Sequence, residues 1–141
     1  KKEYYEKHKE EILIKHKEYR KEHKEEKSLR DKKWRENNQD KIIEYKNSKY
    51  GRAAILIATY RATDKKQNRG ECTLTVEELV EMFNSGCIYC GETDYHKLGA
   101  DRIDNSKPHT KENCVPCCGH CNCQRGTKDF QDFYNQKVKK P

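Results

Sequence analysis

Two Cys-x-x-Cys pairs constrain the fold of this chain more than any other feature. Cys87 and Cys90 form the first pair, Cys118 and Cys121 form the second, and 27 residues lie between the pairs. Two residues between a pair of thiols allow one tight turn to present both sulfurs to one ion. Four thiolates complete the tetrahedral shell of a structural Zn2+. The spacing therefore predicts a zinc ion that staples a small domain together.

The ligand set of this zinc has alternatives. Cys117 could compete with Cys118 for the metal, and His120 could replace one of the sulfurs. We expect the thiols outside the two pairs to be buried or unreactive; they are Cys72, Cys114, Cys117 and Cys123.

The cellular compartment decides whether paired thiols indicate metal or disulfides. The chain shows no secretory signal pattern and no run of about 18 apolar residues. We therefore expect an intracellular protein, in the cytoplasm or with the nucleoid or nucleus, that is not secreted and not bound to a membrane. In such a compartment paired Cys-x-x-Cys motifs favour zinc.

The composition is too polar for one large core. Of the 141 residues, 32% are hydrophobic and 39% are charged, and apolar residues are scarcest before residue 50. We predict an α+β chain in which a small zinc-stapled core follows a long helical extension. Residues 1–50 would form a basic helical arm, 51–70 a linking helix and basic loop, and 71–141 the zinc-bound domain.

Charge is distributed unevenly along the chain. Residues 1–70 carry 22 Lys and Arg against 13 Asp and Glu, whereas residues 71–141 carry 9 against 11. The basic half is expected to attract a polyanion, and the acidic half suits a site for cations.

The arm contains a repeat of 15 residues. His8-Lys-Glu-Glu recurs as His23-Lys-Glu-Glu and, in altered form, as Asn38-Gln-Asp-Lys. The Glu, Lys and Arg content predicts helix. A repeat of 15 residues is not a whole number of helical turns at 3.6 residues per turn. Either the helix breaks near each His or Asn, or the aromatic side chains of successive repeats wind around its axis. The arm would lie along DNA with its basic side chains on phosphates, or serve as a solvated spacer. The 15-residue spacing also separates three aromatic residues: Tyr4, Tyr19 and Trp34.

Two helices are predicted between the arm and the first cysteine pair. The first covers 52–66 and leads into a polar, basic loop over 64–70. The second begins at Thr75, where Glu78 three residues later completes a capping box, and it stops at Gly86.

The segment between the cysteine pairs alternates extended and turn patterns. Residues 99–104 predict a short strand, 105–108 a turn, and 114–116 a second extended piece, with His109 on the opposing strand of the hairpin. A helix is expected from Cys118 to about Tyr134. The order is therefore strand, turn, strand and helix.

The motifs CIYCG, GADRIDNSKPHTKENC and CCGHCN resemble the HNH endonucleases, the ββα-metal nucleases. The resemblance covers residues 72–130 and is strongest to the phage- and intron-borne group with paired Cys-x-x-Cys motifs and a DRIDN-type sequence. The 15-residue repeats also resemble arms on such phage proteins. The resemblance implies a ββα-metal fold for residues 71–141. It also implies hydrolysis of DNA phosphodiesters that leaves 5′-phosphate ends, with nicking of one strand if the protein acts as a monomer.

The resemblance also implies roles for three residues. Asp101 matches the metal-binding aspartate of the first strand, and Asn122 matches the second protein ligand of a catalytic Mg2+ or Mn2+. Asn113 matches the asparagine that ties the hairpin loop together. One carboxylate and one amide oxygen leave most positions of the ion open for phosphate and water. Such an ion polarises the scissile phosphate and stabilises the leaving oxygen.

One position departs from the family pattern. The family usually has a histidine base directly after the aspartate, whereas this chain has Arg102, which could bind the phosphate but cannot take a proton. We expect His109 to be the base, since it titrates near neutral pH. Asp104, His120 and a metal-bound hydroxide are the other candidates. If none of them serves, the chain would be a catalytically inactive, zinc-ordered DNA-binding or assembly module in a larger complex.

DNA is the expected partner, with a homodimer or a larger nucleoprotein complex left open. The residues expected to contact DNA phosphates are basic and flank the motifs: Arg52, Arg61, Arg69, Lys107, Arg125 and Lys128.

Overall fold

The predicted α+β class is confirmed in a computed structural model that describes residues 2–138, with side chains described from residue 4 onward. Within that range the chain forms helices and one two-stranded antiparallel sheet. In chain order the elements are α1 Lys2–Glu22, α2 Lys24–Asn37, α3 Gln39–Asn47, α4 Lys49–Lys66, α5 Val76–Ser85, β1 Leu98–Arg102, β2 Cys114–Cys118, α6 Gly119–Arg125 and α7 Phe130–Val138.

The chain divides into two compact units. The first unit is Lys1–Ile43 and the second is Glu44–Pro141. Helix α4, expected to link the arm to the zinc-bound domain, therefore lies inside the second unit together with both cysteine pairs.

In the first unit, helix breaks coincide with two of the three repeat positions. α1 ends before His23 and α2 ends before Asn38, while His8 lies inside α1. The side chain of Asn38 donates a hydrogen bond to the carbonyl of Trp34, 2.8 Å away, and a ring nitrogen of His23 lies 2.9 Å from the carbonyl of Tyr19. Such local bonds compete with helical ones. Of the two alternatives, interruption of the helix therefore occurs at His23 and Asn38.

In the second unit, α5 supplies much of the core through one apolar face. Thr75 caps the helix by accepting a hydrogen bond from the main-chain N–H of Glu78, whose carboxylate accepts one from the N–H of Thr75. Leu79 and Phe83 are buried on the inner face. Gly86 ends the helix with a φ of +73°, a conformation that favours glycine. The chain is thereby delivered to the first cysteine pair.

Helix α4 packs against β1 at close range. The hydroxyl oxygen of Tyr60 accepts the main-chain N–H of Ala100 at 2.9 Å, and Ile57 is buried one turn earlier. A Cβ atom added to Gly99 would lie only 2.9 Å from that hydroxyl, so the glycine permits the close approach. Arg52, half-buried, ties the start of α4 to the same region by donating to the carbonyls of Tyr95 and Leu98.

The two strands and the following helix form the predicted strand–strand–helix order. β1 pairs antiparallel with β2, and Asp101 lies opposite Val115. The predicted helix running to Tyr134 is wrong in its extent, since α6 stops at Arg125. Gly126 adopts a φ of +53°, which turns the chain before α7 begins.

Among the helices within residues 2–138, none combines the length and apolar character that crossing a membrane requires.

Candidate functional site

The four paired cysteines form a cluster that is able to bind a metal ion such as zinc. Cys87 follows the stop of α5, Cys118 ends β2, and Cys121 lies in the first turn of α6. The sulfurs of these three residues and Cys90 all lie within 4.8 Å of one another. The sulfurs of Cys90 and Cys118 are 3.7 Å apart, close to the separation of about 3.8 Å across a tetrahedral zinc with 2.3 Å bonds.

The two alternative ligands lie outside this cluster. The buried Cys117 donates a hydrogen bond from its sulfur to the carbonyl of Cys118. Adjacent strand residues point to opposite faces, so only one of these two cysteines faces the cluster. His120 is exposed on α6 and contacts Gln124.

Among the cluster thiols whose pKa is shifted by their surroundings, Cys87 is the most readily ionised. Burial opposes its ionisation, but hydrogen bonds from the main-chain N–H groups of Cys118, Tyr89 and Cys90 outweigh burial and lower its pKa to about 7. Burial raises the pKa of Cys121. Binding a metal would ionise both thiols, because thiolates are the ligands.

One cleft of the second unit brings together four of the residues with a predicted catalytic role. It has a volume of about 370 Å³, and Asp101, Arg102, His109 and Asn122 all line it. Helix α4 forms one wall, and Arg69, predicted to contact DNA, also lies there. Asn113 is not part of the lining.

Asp101 is held by two donors at the base of the cleft. Its carboxylate is 4% exposed; one oxygen accepts the hydroxyl of Tyr89 at 2.7 Å and the other accepts Nη1 of Arg125 at 2.6 Å. Burial and the neighbouring carboxylate raise the pKa of Tyr89, so its hydroxyl keeps the proton that it donates. The side chain of Asn122, by contrast, is exposed on α6.

The prediction that Arg125 contacts DNA is wrong, because the side chain points inward. Only 2% of Arg125 is exposed. Besides Asp101, its guanidinium donates to the carbonyls of Arg102 and Ile103, and its Nε is sealed from solvent without a partner among the described residues. Arg125 therefore ties α6 to β1. Helical spacing alone could not show which side of this short helix would be covered.

His109 lies in the loop between β1 and β2 rather than on a strand, and is buried there. Its Nδ1 and its main-chain nitrogen lie 2.8 and 2.7 Å from the same oxygen of Asp64. The imidazole stacks on the ring of Tyr60, with centroids 4.1 Å apart and planes 5° apart. Burial lowers the pKa of His109, and Asp64 opposes this only in part. Nε2 makes no hydrogen bond within the described residues, yet it is not sealed from solvent.

Asp64 is the site residue that sequence reasoning missed. The sequence predicts that Asp64 begins the polar, basic loop over 64–70, but α4 continues to Lys66, and Asp64 is fully buried. Its second oxygen lies 3.4 Å from Nη1 of Arg102 and 3.8 Å from Nη1 of Arg69. The available signal was spacing: Ile57, Tyr60 and Asp64 recur at three and four residues, the pattern of a buried helix face.

Asn113 crosslinks the loop that carries His109. Its amide nitrogen donates to the carbonyls of Asp104 and Pro108, at 3.1 and 2.9 Å, and its side-chain oxygen accepts the N–H of Asp104 at 2.9 Å. Hydrogen bonds from Ser106, together with Lys107, lower the pKa of Asp104 to about 2. Asp104 is therefore ionised, but its low proton affinity makes it a poor base.

Three other predicted DNA contacts lie at the surface. Arg61 and Lys128 are exposed, and Lys107 is exposed in the loop, 3.3 Å from Asp104. Their positions leave the charged groups open to a polyanion.

Comparison of the chain with models of protein families, with curated proteins and with solved structures finds no significant match. What the cleft can do therefore follows from its residues. It combines a carboxylate, an amide oxygen, an imidazole and two guanidinium groups. Such a set can hold a cation, contact a phosphate and accept a proton.

Proposed function

We propose that this chain is a metal-dependent DNA endonuclease of the HNH type, which hydrolyses phosphodiester bonds and nicks one strand when it acts alone. The observation that carries the proposal is the shared cleft of Asp101, Arg102, His109 and Asn122. Phosphodiester hydrolysis needs an oxygen site for a divalent ion, a cation for the phosphate and a base for water. These four side chains offer all three.

Asp101 and Asn122 are the residues proposed to hold Mg2+ or Mn2+. Their oxygens are the hard ligands that such ions prefer. Each carboxylate oxygen of Asp101 accepts one hydrogen bond, so one lone pair on each remains for a ligand bond. The donor set therefore fits the ion. When bound, the metal would polarise the scissile phosphate and stabilise the leaving oxygen.

His109 is proposed as the base that activates water. Burial lowers its pKa, so the ring is uncharged at neutral pH and can accept a proton. With Nδ1 directed at Asp64, the remaining nitrogen Nε2 is the one available for water.

Arg102 and Arg69 are proposed to contact the substrate phosphate. Both line the cleft, and both reach the same oxygen of Asp64, which holds their guanidinium groups in place. A fixed guanidinium stabilises charge that develops on phosphate oxygens. These residues would therefore lie beside the bond being cleaved.

The arm is proposed to bind the DNA backbone. Within residues 1–50 there are 17 Lys and Arg against 12 Asp and Glu, and helix α2 buries none of its residues. Exposed basic side chains of this kind contact phosphates without reading sequence.

A second candidate function is a zinc-ordered DNA-binding or assembly module without hydrolysis. The observation in its favour is the double hydrogen bonding of Asp101 by Tyr89 and Arg125. An arginine on a carboxylate competes with a divalent cation for the same charge. In this alternative Asp101 only fastens β1 to its neighbours.

Plasmid nicking separates the two functions. The zinc-loaded chain is incubated with supercoiled plasmid with and without added Mg2+ or Mn2+, alongside His109→Ala and the exposed control Asp132→Asn. We expect metal-dependent nicking, a loss of at least about 100-fold in His109→Ala, and an unchanged rate in the control. Retention of plasmid in a gel shift without nicking by the native chain would reject the nuclease and favour the binding module.

A further inference from the structure

We propose that Asp64, on a helix outside the segment bracketed by the cysteines, is the positioning residue of the site: it fixes the tautomer of His109, so that Nε2 is left as the proton acceptor in the cleft. This inference rests on the proposed function of His109 as the base. It assigns α4 a part in the chemistry as well as in the core.

The hydrogen-bond pattern determines which ring nitrogen carries the proton. One oxygen of Asp64 accepts the main-chain N–H of His109 at 2.7 Å and lies 2.8 Å from Nδ1 of the same residue. The main-chain nitrogen donates to this oxygen, and a carboxylate, which only accepts hydrogen bonds, has no proton of its own to give to Nδ1. Nδ1 is therefore the protonated nitrogen, and Nε2 keeps its lone pair.

The plane of the imidazole is fixed from a second direction. The ring of Tyr60 stacks on it at 4.1 Å with a 5° angle between planes, and the hydroxyl of Tyr60 is itself held by the N–H of Ala100. A flip of the imidazole would exchange Nδ1 and carbon at the carboxylate and lose the hydrogen bond. Packing and hydrogen bonding therefore select the same orientation.

Burial lowers the pKa of His109, and the arginines around Asp64 act in the same direction, so Asp64 orients the ring without keeping it charged. The guanidinium groups of Arg102 and Arg69 approach the second carboxylate oxygen at 3.4 and 3.8 Å. They offset the attraction between Asp64 and an imidazolium. The ring thus stays neutral and ready to accept a proton, while its direction is set by the carboxylate.

The competing explanation is that Asp64 merely anchors the loop through the main chain of His109. The two roles differ in what happens to the ring when Asp64 is removed. An anchoring role leaves the tautomer to be set by water, for which imidazole prefers protonation at Nε2. A positioning role requires protonation at Nδ1 in the native chain and its loss in Asp64→Ala.

The test uses the 15N-labelled, zinc-loaded full chain. Nitrogen chemical shifts of the His109 ring are measured by NMR at a pH where the ring is neutral, with His109→Gln to assign the signals. We expect the native chain and the control Asp132→Asn to show protonation at Nδ1. Asp64→Ala is expected to shift toward protonation at Nε2, and to nick plasmid at least about 100-fold more slowly.

Two results would overturn the inference: protonation of Nε2 in the native chain, or a folded Asp64→Ala that keeps both its tautomer and its nicking rate. Folding of the variant is checked by circular dichroism and zinc content. If the variant does not fold, the native spectrum alone still decides between the two tautomers. A native chain that never nicks plasmid would reject the proposed function separately, because the tautomer is measured without catalysis.

Discussion

Two buried aspartates line or support the same cleft, and they come from regions of different construction. Asp101 lies on β1, inside the segment bracketed by the cysteine pairs, and is bound by Tyr89 and Arg125. Asp64 lies near the end of α4, outside that segment, and is bound by His109 and Arg102. The bracketed segment therefore carries the carboxylate proposed to hold a metal, whereas α4 carries one that contacts a histidine.

The difference shows that two separately built regions of a small domain position opposite sides of one cleft. The cysteine cluster lies where β2 meets α6, and a bound metal ion would fix these elements, which position Asp101 and Asn122. The apolar face of α4 and the close contact at Gly99 fix the wall that carries Asp64. Since each region holds one side of the cleft, each can be disturbed separately.

The largest effect is expected from loss of one cluster thiol. Cys118→Ser removes a ligand that also ends β2, so zinc content should fall from one ion per chain to nearly none. Structural zinc contributes about 10–16 kcal/mol in small zinc domains, so the cooperative thermal transition of the second unit should disappear. Metal analysis and circular dichroism provide the measurements.

Cys123→Ser is the matched control, because this exposed thiol lies one residue past Asn122 and outside the cluster. It should keep one zinc per chain and an unchanged melting temperature. A Cys118→Ser variant that melts like Cys123→Ser would show that the cluster does not staple the fold.

The next effect is expected at the ion pair on Asp101. Arg125→Met removes one partner of a buried pair and leaves the carboxylate uncompensated, which should cost about 3–5 kcal/mol in the free energy of unfolding. The exposed Arg61→Met should change it by less than about 0.5 kcal/mol. Urea unfolding gives both values.

The same variant tests whether Asp101 binds a divalent ion. Ligands that bind only the folded state raise its stability. If Asp101 and Asn122 hold Mg2+, the ion should restore more stability to Arg125→Met than to the native chain. No recovery over the millimolar range would favour the binding module instead.

A smaller effect is expected from the pH dependence of His109, which faces Asp64, Tyr60, Arg69 and Arg102. Burial lowers its folded pKa below the value of about 6.5 in the unfolded chain. The unfolded state therefore binds more protons as pH falls through 6.5, so this contribution to stability declines from there toward the folded pKa.

The pH dependence of the nicking rate should also reflect the lowered pKa of His109. Its acid limb should lie below pH 6.5, and the stability difference between pH 7 and pH 6 should shrink in His109→Ala. Rate profiles and urea unfolding at each pH check both points. An acid limb above 6.5 would contradict the neutral, buried base.

Local chemistry explains what could be predicted from the sequence. The cysteine spacing, the capping box at Thr75 and the stop at Gly86 depend on residues within a few positions of one another, and the structure has all three. The inward direction of Arg125 depends on which surfaces pack together, which spacing leaves undecided. Spacing places Asp64 on the buried face of α4, but it cannot show that its partner is His109, 45 residues further along the chain. Gly126 ended a helix that composition alone would have continued.

The proposed hydrolysis of DNA in the cleft around Asp101 is tested most directly by comparing nicking by the native chain and Asp101→Asn at equal zinc content in Mg2+ or Mn2+. We expect metal-dependent nicking by the native chain and a loss of at least about 100-fold in a folded Asp101→Asn. Equal rates for the two proteins would contradict it.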